Sequence, residues 1–320
     1  MEGAQLIIVG LDETRKHLEW KPLVEAIRDA FKGGIESPTK HQHYIEVPGE
    51  PEGKIMMMPA WRAGDYVCVK LVNMFPGNAA RGMPAVNGIV ILFDGKSGEA
   101  LAQVDGGEVT ARRTAAASAV AADYLAREDA KTHLVVGTGR VAWNLIFAHR
   151  AVRPLEKTFV WGRDHAKARQ LASAAGDLGL QAEAVEDIEA TARGVDVISC
   201  ATFSPDPLVL GDWLRDGTHL DLVGGYRPEV RETDDTSIRR ANVFCDTLTG
   251  APKAAGDLMQ PMASGVLNFD DLVDLYALVQ GGHPGRTSAN EITMFKSVGA
   301  SLEDFAAAVL VYEQVKRERG

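Results

Sequence analysis

The sequence predicts an α/β protein: a doubly wound parallel sheet preceded by a smaller α+β domain. Three observations carry that prediction. A chain of 320 residues exceeds the usual size of a single hydrophobic core, so two domains with separate cores are expected. From Thr132 onward, short apolar runs alternate with helical stretches, the pattern of β-α-β units. Finally, the run Thr132-His133-Leu134-Val135-Val136 leads directly into Gly137-Thr138-Gly139-Arg140-Val141-Ala142, and residues 143–152 then have helical composition.

Taken in order, Leu23, Val24, Ile27, Ala30 and Phe31 recur at helical spacing, and Gly33-Gly34 ends that helix. Beyond Pro38 the texture changes to short strands at 43–47, 54–59, 66–73 and 88–93, separated by Pro48-Gly49, Pro76-Gly77 and Asp94-Gly95. Residues 89–93 and 100–106 flank a turn and read as a hairpin. The first 110 residues or so are therefore expected to form a mostly antiparallel sheet with helices. An alanine-rich helix is expected over 110–126, capped by Thr110.

The second half predicts strands at 132–136, 158–161, 182–184, 195–200, 219–223 and 243–245, with helices between them at positions such as 165–175 and 187–193. Residues 270–279 look helical, and 292–298 form a short apolar run. Ser301 is expected to cap a final helix that carries Glu303 and Asp304 in its first turn and ends near Lys316.

Gly-x-Gly-x-x-Ala between a strand and a helix is the turn of a Rossmann-like dinucleotide-binding unit. Gly137 permits the tight turn, Gly139 lets the backbone approach a pyrophosphate, and Ala142 allows close helix packing. Thr138, Arg140 and Val141 complete the cradle at the helix N-terminus. In NAD-binding versions an acid follows about 20 residues later, at the end of the second strand. Here that position holds Gly162 and then Arg163, which suits the 2′-phosphate of NADPH, with NADH as the alternative. Asp164 is either a ribose acid or the N-cap of the next helix. Thr202, after the fourth strand, is a further candidate cofactor contact or an ordinary strand-end threonine.

A formal charge of −10 argues against a general nucleic-acid partner. No apolar run reaches the length of a membrane span, and the N-terminus lacks a signal core, so a cytoplasmic protein is expected. Cys68, Cys200 and Cys245 lie far apart in apolar runs and read as buried thiols. His41 and His43 share one side of a strand without a third ligand nearby, so no metal is expected. Met56-Met57-Met58 reads as core packing.

Several segments together resemble the ornithine cyclodeaminase/μ-crystallin family, in the family's order along nearly the whole chain. They are Met58-Pro59-Ala60-Trp61, Val69-Lys70-Leu71-Val72, Ile91-Leu92-Phe93-Asp94, Arg112-Arg113-Thr114-Ala115, the Gly137 turn, Asp221-Leu222-Val223-Gly224-Gly225-Tyr226-Arg227-Pro228, and Phe295-Lys296-Ser297-Val298-Gly299. The resemblance implies a homodimer. It also implies that residues 1–112 with 300–320 form a substrate and dimerisation domain beside a Rossmann domain of residues 113–299.

The same resemblance implies that Lys70 and Arg113 bind an amino- or imino-acid carboxylate, supported by Lys40, with Asn87 near the substrate and Lys70 the candidate catalytic residue. Independently, Lys70 interrupts an apolar run, where a charge needs a partner or a bound anion unless it snorkels from an edge strand. Arg113 near the start of a helix opposes the dipole, which is easier to understand if it grips a carboxylate.

Tyr226 stands where cyclodeaminases and the related alanine dehydrogenase carry a catalytic aspartate. The form Gly-Gly-Tyr-Arg-Pro is similar to the ketimine reductase and μ-crystallin branches. The expected function is therefore NAD(P)H-dependent reduction of a small cyclic imino acid: Δ1-pyrroline-2-carboxylate to L-proline, or the six-membered piperideine analogue to L-pipecolate. The alternatives are a cyclodeaminase or amino acid dehydrogenase using another carboxylate such as Asp221, and a μ-crystallin-like ligand-binding protein.

Overall fold

The computed structural model describes residues 6–319, which fall into two compact units. One comprises the chain up to Arg113 and again from Ala300; the other runs from Thr114 to Gly299.

The first unit contains β1 (Ile7–Val9), α1 (Leu11–His17), α2 (Trp20–Phe31), β2 (His41–Ile45), β3 (Gly53–Trp61), β4 (Tyr66–Met74), β5 (Val86–Asp94) and β6 (Ala100–Asp105). Its sheet has the order β1-β6-β5-β4-β3-β2, antiparallel except for the edge strand β1, which lies parallel to β6. Neither β1 nor α1 is foreseen from the sequence, because three residues are too few to show alternation. Side chains alternate along the strands. Cys68, Lys70, Val72, Val90 and Leu92 are buried on one face, against the C-terminal helix, while Val67, Val69, Leu71, Ile89, Ile91 and Phe93 lie half-exposed on the other.

Helix α3 (Gly106–Leu125) begins four residues before the expected cap. Asp105 Oδ1 accepts from the Glu108 N–H at 2.6 Å and so caps the helix, whereas the Thr110 hydroxyl donates to the Gly106 carbonyl inside it. Arg113 consequently lies beyond the first turn, and the dipole argument drawn from its position does not apply.

The second unit holds β7 (Thr132–Val136), α4 (Arg140–Arg150), β8 (Lys157–Trp161), α5 (His165–Asp177), β9 (Gln181–Ala184), α6 (Ile188–Ala192), β10 (Val197–Cys200) and β11 (His219–Leu222). It continues through α7 (Asp235–Arg240), β12 (Ala241–Cys245), α8 (Ala251–Ala254), α9 (Gly256–Ala263), β13 (Val273–Asp274), α10 (Leu275–Val279) and β14 (Ile292–Lys296). The sheet is wholly parallel, in the order β13-β12-β14-β11-β10-β7-β8-β9. It is the doubly wound sheet the alternation predicts, with its strand order reversing beside β7. The apolar run 292–298 supplies β14, an inner strand between β11 and β12. The expected helix at 270–279 is instead a 3₁₀ turn, the short strand β13 and α10, because Asp274 caps α10 by accepting from Ala277 N–H.

The chain re-enters the first unit as α11 (Ser301–Arg319), one turn longer than expected. Cys68, Cys200 and Cys245 are all buried, and burial pushes each thiol up.

Candidate functional site

In the first unit, Lys70 and Arg113 meet. Lys70 lies on β4, an inner strand, and is 1% exposed; Arg113 comes from α3 and is 5% exposed. Lys70 Nζ donates to Asp304 Oδ1 at 2.7 Å, and Arg113 Nε lies 2.9 Å from the same oxygen. Arg113 Nη1 also donates to Glu303 Oε2 at 2.5 Å. Both acids are fully buried in the first turn of α11, where Glu303 Oε1 accepts from Ala300 N–H at 3.2 Å. An inner-strand lysine cannot snorkel, so the buried-partner reading of Lys70 holds. Burial, with the neighbouring guanidinium second, pulls its ammonium down to about 8.

Lys40 is half-buried in the segment just before β2, whose first pair is His41 with Met57. Met58 in turn pairs with Lys70, so Lys40 stands two strands over from it. Asn87 is not brought to this group. It pairs with Asn73, one residue out of phase with Lys70, so it faces the other side of the sheet, where it is exposed and donates to the Pro84 carbonyl at 3.1 Å.

In the second unit, the turn after β7 has the geometry that an anion requires. Gly137 has φ 133°, and a Cβ there would lie 2.7 Å from the Ala201 carbonyl oxygen. Gly139, the N-cap of α4, has open space where a side chain would be, no side chain caps this helix, and no acid lies in its first turn. Its N–H groups are therefore available to a pyrophosphate. Thr138, Arg140 and Val141 flank this point with partial or full exposure, and Ala142 is buried beneath Gly137. Gly162 has a packing cause as well: a Cβ there would meet the Thr138 methyl at 2.5 Å. Arg163 is exposed just past β8, while Asp164 caps α5, accepting from Ala166 and Lys167 N–H.

Thr202 lies past β10, and its hydroxyl and N–H both donate to Glu232 Oε1, at 2.8 and 2.7 Å. Asp221 is enclosed in the core of this unit: Ser118 Oγ donates to it at 2.8 Å and His149 Nε2 stands 3.5 Å away. Burial raises its carboxyl to about 7, but a fully buried group of this kind has no surface to offer a substrate. Tyr226 is half-buried, with its ring edge-on to Phe203 at 5.2 Å.

A glycine-rich dinucleotide turn in one unit and two buried cations in the other are matched at the level of whole-chain similarity. The model of the ornithine cyclodeaminase/mu-crystallin family matches residues 8–319. The chain belongs to that family. It is 38% identical over 293 residues to a Δ1-pyrroline-2-carboxylate reductase of Paracoccus denitrificans, covering 91% of each chain. Its fold superposes with a TM-score of 0.90 on the Thermococcus litoralis Δ1-pyrroline-2-carboxylate reductase in complex with NADH and L-proline, at 32% identity over 98% of both chains. A third similarity, with TM-score 0.89 and 29% identity over 98% and 97% of the two chains, is to an archaeal alanine dehydrogenase dimer with bound NAD. The chain is an oxidoreductase.

Sequence patterns did not single out Glu303 and Asp304 beyond their effect on the helix dipole, nor the roles of Lys296, Glu232 and Asp257. For Lys296 the signal was present: like Lys70, it interrupts an apolar strand. Among the described residues, no His, Cys, Asp or Glu cluster could hold a metal ion, and no helix is long and apolar enough to cross a membrane.

Proposed function

We propose that this protein reduces a small cyclic ketimine carboxylate, with Δ1-pyrroline-2-carboxylate giving L-proline as the first choice and the piperideine analogue giving L-pipecolate as the second. The observation that carries the reading is the convergence of Lys70 and Arg113 on one oxygen of Asp304. Lys70 and Arg113 place two cationic donors side by side, and an incoming carboxylate would share them with Asp304 and Glu303. In this reading Lys70 and Arg113 hold the substrate carboxylate, Arg113 with its planar fork, and Lys40 supports them. The anchored ring then presents its imine carbon in one orientation.

The Gly137–Gly139 turn and the α4 N-terminus hold the pyrophosphate of a nicotinamide dinucleotide, which supplies the hydride when bound. NADPH is the preferred form: Arg163 is exposed where a 2′-phosphate would lie, and Asp164 is occupied as a helix cap. Tyr226 in place of an acid suits a reaction in which the protonated imine is already the electrophile.

The half-exposed apolar face of the first unit's sheet is the surface through which the chain forms a homodimer. Ile91→Glu should then give a monomer by light scattering. The decisive assay follows nicotinamide absorbance on mixing the protein with NADPH and Δ1-pyrroline-2-carboxylate. Rapid oxidation is expected; no oxidation with either ring size overturns the proposal.

A further inference from the structure

Lys296 ends β14 and is fully buried. Its Nζ lies 2.9 Å from Asp257 Oδ2 and 3.7 Å from Glu232 Oε2. Asp257 Oδ1 accepts from the N–H groups of Glu232 and Thr233 at 2.7 and 3.3 Å. Glu232 uses each oxygen for a different loop. Oε1 takes the N–H and hydroxyl of Thr202, past β10, and Oε2 takes the N–H groups of Gly224 and Gly225, past β11, at 2.7 and 3.2 Å. A side chain on Gly224 would collide with backbone, and one on Gly225 would press on Asp257. A Cβ on Gly224 would lie 1.9 Å from the Thr202 carbonyl oxygen, and one on Gly225 would lie 2.6 Å from Asp257 Oδ2.

These two loops leave the carboxyl ends of neighbouring parallel strands, and Ala201 in the first touches the Gly137 turn. In a doubly wound sheet a dinucleotide lies across this edge, centred on the switch point. With Arg163 past β8 on one side of β7, the adenosine half lies there, and the nicotinamide half extends toward β10 and β11. From this geometry we infer that Lys296 is a positioning residue: through Asp257 and Glu232 it holds the Thr202 and Gly224–Gly225 loops in the one arrangement that receives the nicotinamide end.

The chemistry is that of a carboxylate that must stay ionised. Two acids in a core repel and tend to take up a proton, and burial pushes Glu232 upward. The Lys296 ammonium opposes that push on Glu232 and so favours the ionised form, which can accept from both loops at once. A protonated or amide side chain at 232 would turn a hydrogen toward one loop and release it.

The inference rests on the dinucleotide-dependent reading above but not on the substrate. Its test is therefore binding alone, comparing NADH with ADP-ribose, which lacks the nicotinamide. Glu232→Gln, nearly isosteric, should weaken NADH about tenfold, the scale of a lost hydrogen bond to a charged group, and leave ADP-ribose within about twofold. Lys296→Met should show the same split, and Lys296→Arg should restore much of the NADH affinity. Circular dichroism identifies any variant that fails to fold, and Glu232→Gln then stands as the test. Equal losses for both ligands, or unchanged NADH affinity in the folded Glu232→Gln protein, overturn the inference. Ketimine turnover, measured separately, reports on the proposed reaction and not on this role.

Discussion

Lys70 and Lys296 are equally buried, each at a strand position that sequence marks as apolar, yet their surroundings push them in opposite directions. Lys70 is drawn down to about 8, by burial and then by the Arg113 guanidinium beside it. At Lys296 burial also pulls downward, but Asp257 and Glu232 outweigh it and leave the ammonium raised. The acids differ too. Glu232 and Asp257 accept six N–H or O–H donors between them and so tie separate loops together, whereas Asp304 Oδ1 gathers the Lys70 and Arg113 side chains; Asp257 Oδ2, like Asp304 Oδ2, stands without a hydrogen-bond partner among the described residues. Carboxylates that accept from backbone N–H groups of several loops fix those loops, while carboxylates that face two side-chain cations hold side chains instead. The difference accords with the proposed division between a scaffold at Lys296 and a substrate-binding group at Lys70.

The largest effect that would break this comparison lies at Arg113. Arg113→Met should lower kcat/KM for the ketimine by about 10²- to 10³-fold, the usual loss when one partner of a buried charged contact is removed, with NADPH affinity unchanged. It should also move the alkaline limb of the residual activity upward, since the Arg113 guanidinium adds to burial in depressing Lys70. An unshifted limb would mean that Arg113 does not set the Lys70 titration.

Next comes Asp304→Asn, which removes the charge of the carboxylate that Lys70 and Arg113 share. It should cost about 3 kcal/mol of stability, measured by denaturant titration. A loss under about 0.5 kcal/mol, the level of an exposed contact, would show that the carboxylate is not what holds the pair.

The pH profile is a gentler test. Above about pH 8 Lys70 loses its proton, and with it the charge that is proposed to attract a substrate carboxylate. The value of kcat/KM should therefore fall, by about tenfold per pH unit in the limit, while NADPH binding stays level across the same range. The smallest effect is expected at Arg163, an exposed group. Arg163→Ala should raise KM for NADPH by about tenfold and scarcely alter that for NADH. Equal changes would remove the cofactor preference.

Much of the second unit is legible in the sequence, because strand, turn and helix follow one another locally. Gly137 needs its conformation for a reason that only neighbours along the chain and one close contact decide. Asp164 as a cap is equally local. The first unit is less legible. The β1 strand is too short to show a period, Thr110 and Asp105 compete for the same cap, and Asn87 turns away from Lys70 through the phase of a single residue in the pleat.

The sequence by itself determined the alternation of strand and helix through much of the second unit, the dinucleotide turn, and that a charge at Lys70 had to be answered by something. Burial of a charged group in an apolar run admits few resolutions, so the need is visible even when the partner is not. Only the tertiary structure decided what answers it. Asp304 lies 234 residues further along the chain than Lys70, and Glu303 lies 190 beyond Arg113. Asp221, a possible catalytic acid in sequence, is closed into a core by Ser118, 103 residues earlier. Contacts at such separations depend on how helices and strands pack, and a local pattern carries no record of that.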